Sequence, residues 1–296
     1  MPGWILVALG AAFVQNLRFM LQRQLRLGAL STLGATWARF AFAWPLAGLL
    51  VAALAVAGRP VPGPTAAFAA WAALGGLAQI LATALVVALF TRRNFAVGVT
   101  FKKTEVLQTA LVAWLVAGEG LGAGALAAIA LGFAGVVLLS PPPAGRSAPP
   151  LEVVAMGLGS GALFAVSAVA YRSATLALTG EAGALERAAM TLALTTALQT
   201  AALGAWLTWR EPGQVRVVLA RWRRTALVGV ASMLGSLGWF TAFALAHAAL
   251  VKAVGQSELV FSLLGGWLVF GERMSRRELA AIALITLSVL ALILAV

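Results

Sequence analysis

Apolar residues gather in ten long runs along this chain, at residues 3–25, 31–57, 65–90, 96–117, 121–140, 152–177, 184–209, 225–246, 249–270 and 276–296. Crossing the hydrocarbon core of a bilayer takes roughly 20 residues of helix. The runs are long enough for that, and short polar connections separate them. The pattern predicts an all-α membrane protein of ten transmembrane helices. The first run resembles the core of a signal peptide, but no charged leader precedes it and it continues into polar helix, so it reads as a span. Two connections carry helix-breaking chemistry: "GRPVPGP" (Gly58 to Pro64) and "SPPPAGRSAPP" (Ser140 to Pro150). The second divides the chain into halves, 1–140 and 151–296, joined by a Pro-rich linker at 141–150.

The halves repeat. In a register of 153 positions, "LAAIAL" at 126–131 falls on the same hexamer at 279–284, Trp114-Leu115 on Trp267-Leu268, Gly118-Glu119 on Gly271-Glu272, and Glu105 on Glu258. Alanine-rich hexamers recur by composition alone, whereas tryptophans and glutamates at a constant offset do not. Five spans per half is an odd number, so the second half inserts upside down. Two inverted five-helix repeats around a central cavity are a recurring plan of secondary transporters, because similar halves facing opposite ways can exchange conformations.

Composition agrees. The chain is 62% hydrophobic and 10% charged, with a mean hydropathy of +0.98, whereas a soluble domain is about half apolar and about a quarter charged. The formal charge of +12 is carried mainly in short caps between apolar runs, which points to membrane loops and away from nucleic acid. Thirteen arginines lie in the odd-numbered connections or at the span ends that border them. The positive-inside rule then puts those connections in the cytoplasm and both termini outside. With no cysteine, one histidine and no aspartate, no metal or other cofactor is expected. His247, at a span end, reads as a packing or interfacial residue.

The polar residues inside the runs carry the candidate chemistry. A charge at the bilayer centre costs about 2.5–3.5 kcal/mol on insertion scales, so it normally faces protein or water. Gln15, Arg18, Gln22 and Arg26 recur at helical spacing with Asn16 beside them, which predicts a wet cavity wall; Arg23 and Arg26 suit the headgroup region. "VTFKKTEVLQTA" brings Lys102, Lys103, Glu105 and Gln108 into the fourth span, and its repeat partner "VKAVGQSELVFS" brings Lys252, Gln256, Ser257 and Glu258 into the ninth. Lys102 and Glu105 are placed to neutralise each other, and Lys252 and Gln256 to share a face. Gln79, Tyr171, Arg172 and Trp239 complete the expected lining. Small residues in "GLGSG" (Gly157 to Gly161) predict close helix contact.

The organisation resembles the drug/metabolite transporter superfamily, in its ten-span branch of bacterial metabolite exporters. The resemblance rests on the two five-span halves, the compact loops, and a closing pattern of Trp-Leu, "GE", a short turn and an Ala-rich last span. That pattern reads "AWLVAGEGLGAGALAAIALG" (Ala113 to Gly132) and "GWLVFGERMSRRELAAIALI" (Gly266 to Ile285). It implies a basket in which spans one, three, four, six, eight and nine surround the substrate, with five and ten outside. Carried onto this chain, Gln15, Asn16, Arg18, Gln79, Lys102, Glu105, Tyr171, Arg172, Lys252, Gln256 and Glu258 are implied as lining. Two features depart from the family: its termini are commonly drawn as cytoplasmic, and "FKKTE" is unusually charged.

The expectation is a monomeric secondary transporter of the bacterial inner membrane. It would export small metabolites by alternating access, amino acids first among them, neutral and aromatic ones included. Multidrug or cation efflux is the alternative. The chain has no nucleotide-binding G-x-x-x-x-G-K pattern and no nucleophile motif, so no enzymatic activity is expected. The partners are a small-molecule substrate and the lipid bilayer, and no nucleic acid.

Overall fold

A computed structural model describes residues 2–26, 30–90, 101–139, 150–270 and 275–295. The ten runs are helical. The first to third are Gly3–Arg26, Thr32–Ala41 continued by Ala43–Val56, and Ala66–Leu89; the fourth and fifth are Glu105–Ala117 and Ala123–Leu139. The sixth to eighth are Leu151–Leu176, Ala184–Arg210 and Trp222–Leu245; the ninth is Ala248–Val254 continued by Ser257–Phe270, and the tenth is Arg276–Ala295. A short helix, Gln214–Ala220, which the apolar pattern does not announce, lies in the connection before the eighth span. Among the described residues there is no strand, only an isolated bridge between Gly63 and Thr179. Among the described residues, seven helices are long and apolar enough to cross a membrane, and Glu105–Ala117 and Ala123–Leu138 are shorter apolar helices. The Pro-rich linker, Gly271-Glu272, Arg92, Arg93, Arg146 and Arg273 lie outside the described residues, as does the side chain of Arg26.

Local chemistry sets the ends. The Ser31 hydroxyl accepts from the Gly34 amide and the Thr65 hydroxyl from the Phe68 amide, each satisfying a donor that a helix start leaves open. Gly118, in the left-handed region at φ 65°, closes the fourth span. The second span breaks at Phe42 because Pro45 has no N–H to give to the Ala41 carbonyl.

The packing of the spans is symmetric under exchange of the halves. The first packs on the eighth and the third on the sixth; the second packs on the seventh and the fifth on the tenth. Exchanging the halves converts the first pairing into its neighbour and returns each of the others to itself. Directions agree with inversion. Gly238 faces Ala11 while Gly235 faces Val14, and Gly75 faces Tyr171 while Gly159 faces Leu85, so these partners run antiparallel. In the outer pair Ser288 donates to the Ala128 carbonyl at 2.6 Å and Gly135 faces Ile285, again antiparallel. Small residues let such helices approach closely where lipid supplies no hydrophobic drive between them. Leucines such as Leu49, Leu77, Leu115 and Leu227 are exposed on the outside, as a lipid-facing surface requires.

One contact tests this packing. A β-carbon on Gly229 of the eighth span would lie 2.2 Å from the Phe42 side chain and 2.9 Å from its backbone carbonyl carbon, at the break in the second span. Backbone cannot yield as a flexible side chain can. Gly229→Ala is expected to destabilise the protein by about 1–3 kcal/mol, the usual cost of overpacking, read as a lower thermal unfolding midpoint in detergent. An unchanged midpoint would show that Phe42 gives way at no cost.

Candidate functional site

The fourth and ninth spans are both interrupted, at corresponding places. Helical backbone at Phe101-Lys102 gives way to a turn at Lys103-Thr104 before Glu105 restarts the helix, and a turn at Gly255-Gln256 precedes Ser257–Phe270. Each glutamate thus sits in the first turn of a resumed helix, where the peptide dipoles favour negative charge. Interrupted helices near the centre of a repeat are a common way to build a polar site within a membrane.

The two starts meet in one buried cluster. Lys102 Nζ lies 2.8 Å from Glu105 Oε2, and Lys252 Nζ, from the other half, lies 3.3 Å from Glu105 Oε1. Lys103 Nζ lies 3.1 Å from Glu258 Oε2, which also accepts from Gln15 Nε2 at 3.0 Å. The Gln15 carbonyl in turn accepts from the Trp239 indole N–H at 3.1 Å, fixing which way the amide points. Lys102 and Lys252 both stand over the Phe164 ring, at 4.9 and 5.7 Å from its centroid, and Lys252 also faces Trp239 at 5.2 Å. Gly161 is required here: a β-carbon on it would come within 2.9 Å of the Lys102 carbonyl oxygen, so the sixth span approaches the interrupted start only without a side chain.

Two hollows flank the cluster. One, of about 220 Å³, is bounded by Asn16, Phe19 and Arg23 of the first span, Val86 and Phe90 of the third, and Lys102, Lys103 and Glu258. The other holds only about 20 Å³ and is bounded by Gln15, Arg39, Gln79, Tyr171, Trp239 and Lys252 among others. Around the smaller one the Tyr171 hydroxyl donates to Gln79 Oε1 at 3.1 Å, while Gln199 Nε2 lies 3.0 Å from the same oxygen and 3.0 Å from the Gly76 carbonyl. The Arg39 guanidinium meets hydroxyls there: Nε to Ser232 at 3.0 Å, one terminal nitrogen to Thr83 at 2.8 Å, the other to Ser236 at 3.4 Å.

A match to the EamA-like transporter family covers residues 147–294, half of the chain. The chain belongs to the EamA-like transporter family. That makes it a multi-pass membrane transporter of the drug/metabolite transporter superfamily. No curated protein matches it. A solved crystal structure aligns with 99% of this chain and 97% of its own at a TM-score of 0.69 and 16% identity, a likeness of fold alone.

Within this EamA-like transporter, most of the residues singled out from sequence come together. Gln15, Asn16, Gln79, Lys102, Tyr171, Trp239, Lys252 and Glu258 line one hollow or the other, and Glu105 ties Lys102 to Lys252 between them. Arg18 is buried beside them, bonded to Gln22 Oε1 at 2.9 Å and stacked 4.3 Å from the Phe19 ring centroid.

Two residues lie elsewhere. The turn at Gly255-Gln256 rotates Gln256 out of the face it was expected to share with Lys252; its amide nitrogen points at Gly132, near Ser288 of the outer pair. Arg172 sits at an end of the bundle, where it bridges Glu119 at 2.5 Å and donates to the carbonyls of Phe243 and Ala246 at 2.5 and 2.8 Å. Arg39 and Gln199 were not among the candidates, and Lys103 was named in the fourth span without being assigned to the lining. Lys103 carries its signal openly in "FKKTE". Arg39 had one available sign, an arginine in the middle of an apolar run.

Proposed function

We propose that this chain exports small polar metabolites bearing a carboxylate, amino acids first among them, across the bacterial inner membrane by alternating access. One observation carries the reading. Two glutamates at corresponding places in the halves are each held by lysine, in a buried cluster where spans from both halves converge. A scaffold gains nothing from burying such charges, which are costly in a membrane unless they serve a solute path. A hollow of about 220 Å³ falls below the ~300–1,000 Å³ of drug-sized pockets, which favours a small substrate. Both carboxylates are occupied by lysine, so neither is available to a cationic drug, which counts against the efflux alternative. The odd-numbered connections are assigned to the cytoplasm and both termini outside on the arginine count. The reading assigns no catalysis; a solute or ion gradient supplies the drive, with the chain working as a monomer.

Proteoliposomes containing the purified protein test this with a panel of radiolabelled amino acids and cationic dyes. Accumulation or exchange of at least one amino acid, and of no dye, is the expected result. Dye transport alone would transfer the function to cation efflux, and transport of nothing in the panel would count against the amino-acid assignment.

A further inference from the structure

The buried site holds more positive charge than its carboxylates can match. Around the two hollows stand Arg39, Lys102, Lys103 and Lys252, with Arg18 buried behind Phe19 of the larger hollow's wall, all under a tenth exposed, against Glu105 and Glu258. Every one of the three lysines reaches a glutamate. Neither arginine does among the described residues: Arg18 reaches Gln22 and the Phe19 ring, and Arg39 reaches Ser232, Thr83 and Ser236. Lysine can shed its proton on burial but arginine cannot. Allowing each carboxylate one lysine and the third lysine neutrality still leaves two guanidiniums whose direct contacts are hydroxyl, amide and aromatic, Glu258 acting on Arg18 only at longer range. Burying a charge without an opposite partner is costly, and this expense is met if the missing partner is the solute.

From this imbalance we infer that the transported solute carries a net negative charge: an acidic amino acid, a dicarboxylate or a phosphate ester rather than a neutral zwitterion. The inference rests on the transport reading above and moves its substrate class from neutral solutes to net anions. The anionic group seats in the small hollow between Arg39 and Lys252, where Gln79 and Tyr171 supply further polar atoms. That hollow admits little more than a water as it stands, so binding requires the hydroxyls of Ser232, Thr83 and Ser236 to release part of the guanidinium fork. A planar fork suits a carboxylate or phosphate better than three separate hydroxyls, because paired oxygens accept two parallel bonds at once. Lys252 already shares Glu105 with Lys102. An arriving anion therefore competes with Glu105 for Lys252, which loosens the tie between the two halves at the moment the site fills.

The test measures binding in detergent, so it does not depend on turnover. Thermal unfolding midpoints are recorded with glutamate, succinate, glycerol 3-phosphate, phenylalanine and tetraphenylphosphonium at millimolar concentration. At least one of the three anions should raise the midpoint, and phenylalanine and the phosphonium should not. Which anion acts separates carboxylate from phosphate recognition. In Arg39→Gln the apparent affinity for that anion should fall about tenfold or more; Arg39→Lys should recover part of it, and Arg18→Gln provides an independent variant. A wild-type protein stabilised by none of the anions, or an anion response unchanged in both glutamine variants, overturns the inference. An anion that binds in detergent but does not cross in proteoliposomes would sink the transport reading and leave the anion site between Arg39 and Lys252 standing.

Discussion

Replacing Glu105 by glutamine is expected to abolish transport and to lower stability together. The carboxylate neutralises Lys102 from its own helix and Lys252 from the opposite half, and all three side chains are buried. Glutamine keeps the shape but leaves two ammonium groups without a charge partner. Breaking a buried pair by removing one member costs about 3–5 kcal/mol, because the remaining charge stays desolvated. The double variant Glu105→Gln/Lys252→Gln removes one charge of each sign and should recover part of the lost stability. It should not recover transport, because the link between the halves stays cut. A double-mutant cycle on thermal unfolding in detergent, with uptake in proteoliposomes, separates the two effects. Glu258→Gln provides a parallel case, since it leaves Lys103 without its carboxylate partner while keeping an oxygen that can accept from Gln15. Wild-type stability and transport in Glu105→Gln would show that the cluster is peripheral.

The backbone plan was legible because each span is an apolar run bounded by proline, glycine or arginine. Every run read from the pattern is helical where it is described, with ends shifted by a few residues. The interruptions were harder. Pro45 breaks the second span, and a proline in the middle of the 31–57 run is the one sign of that break in the sequence. The turns at Lys103-Thr104 and Gly255-Gln256 lie inside runs long enough to read as single helices. This is why Lys252 and Gln256, four apart in sequence, point to different neighbours. The matched glutamates could be found because both halves carry them. Arg39 had only its place in an apolar run to mark it, since its repeat position holds Leu192. Asymmetry between the halves hid the guanidinium on which the substrate assignment rests.

Removing Arg172 should unlock the opposite end of the bundle. This side chain leaves the sixth span to bridge Glu119, just beyond the fourth, and to cap the carbonyls of Phe243 and Ala246 at the end of the eighth. On the same face Arg59 pairs with Glu186 at 2.6 Å, and the Thr179 amide donates to the Gly63 carbonyl at 2.9 Å. Arg172 is therefore the tie closest to the solute path, with three spans converging on one guanidinium. A hydrogen bond to a charged group is worth about 1.5–3 kcal/mol, so Arg172→Ala should shift the balance toward opening at that face by tenfold or more. The natural absence of cysteine makes this directly measurable. A single thiol introduced by Ser167→Cys lines the small hollow, little more than one helical turn from Arg172. A membrane-impermeant thiol reagent added from the Arg172 face should modify it slowly in the otherwise native chain and at least tenfold faster in Arg172→Ala. Arg172→Lys retains the charge toward Glu119 but loses the fork that reaches both carbonyls, so its rate should fall between the two. Equal rates in all three would mean that this face is held by something other than Arg172, and that the guanidinium serves only to cap a helix end.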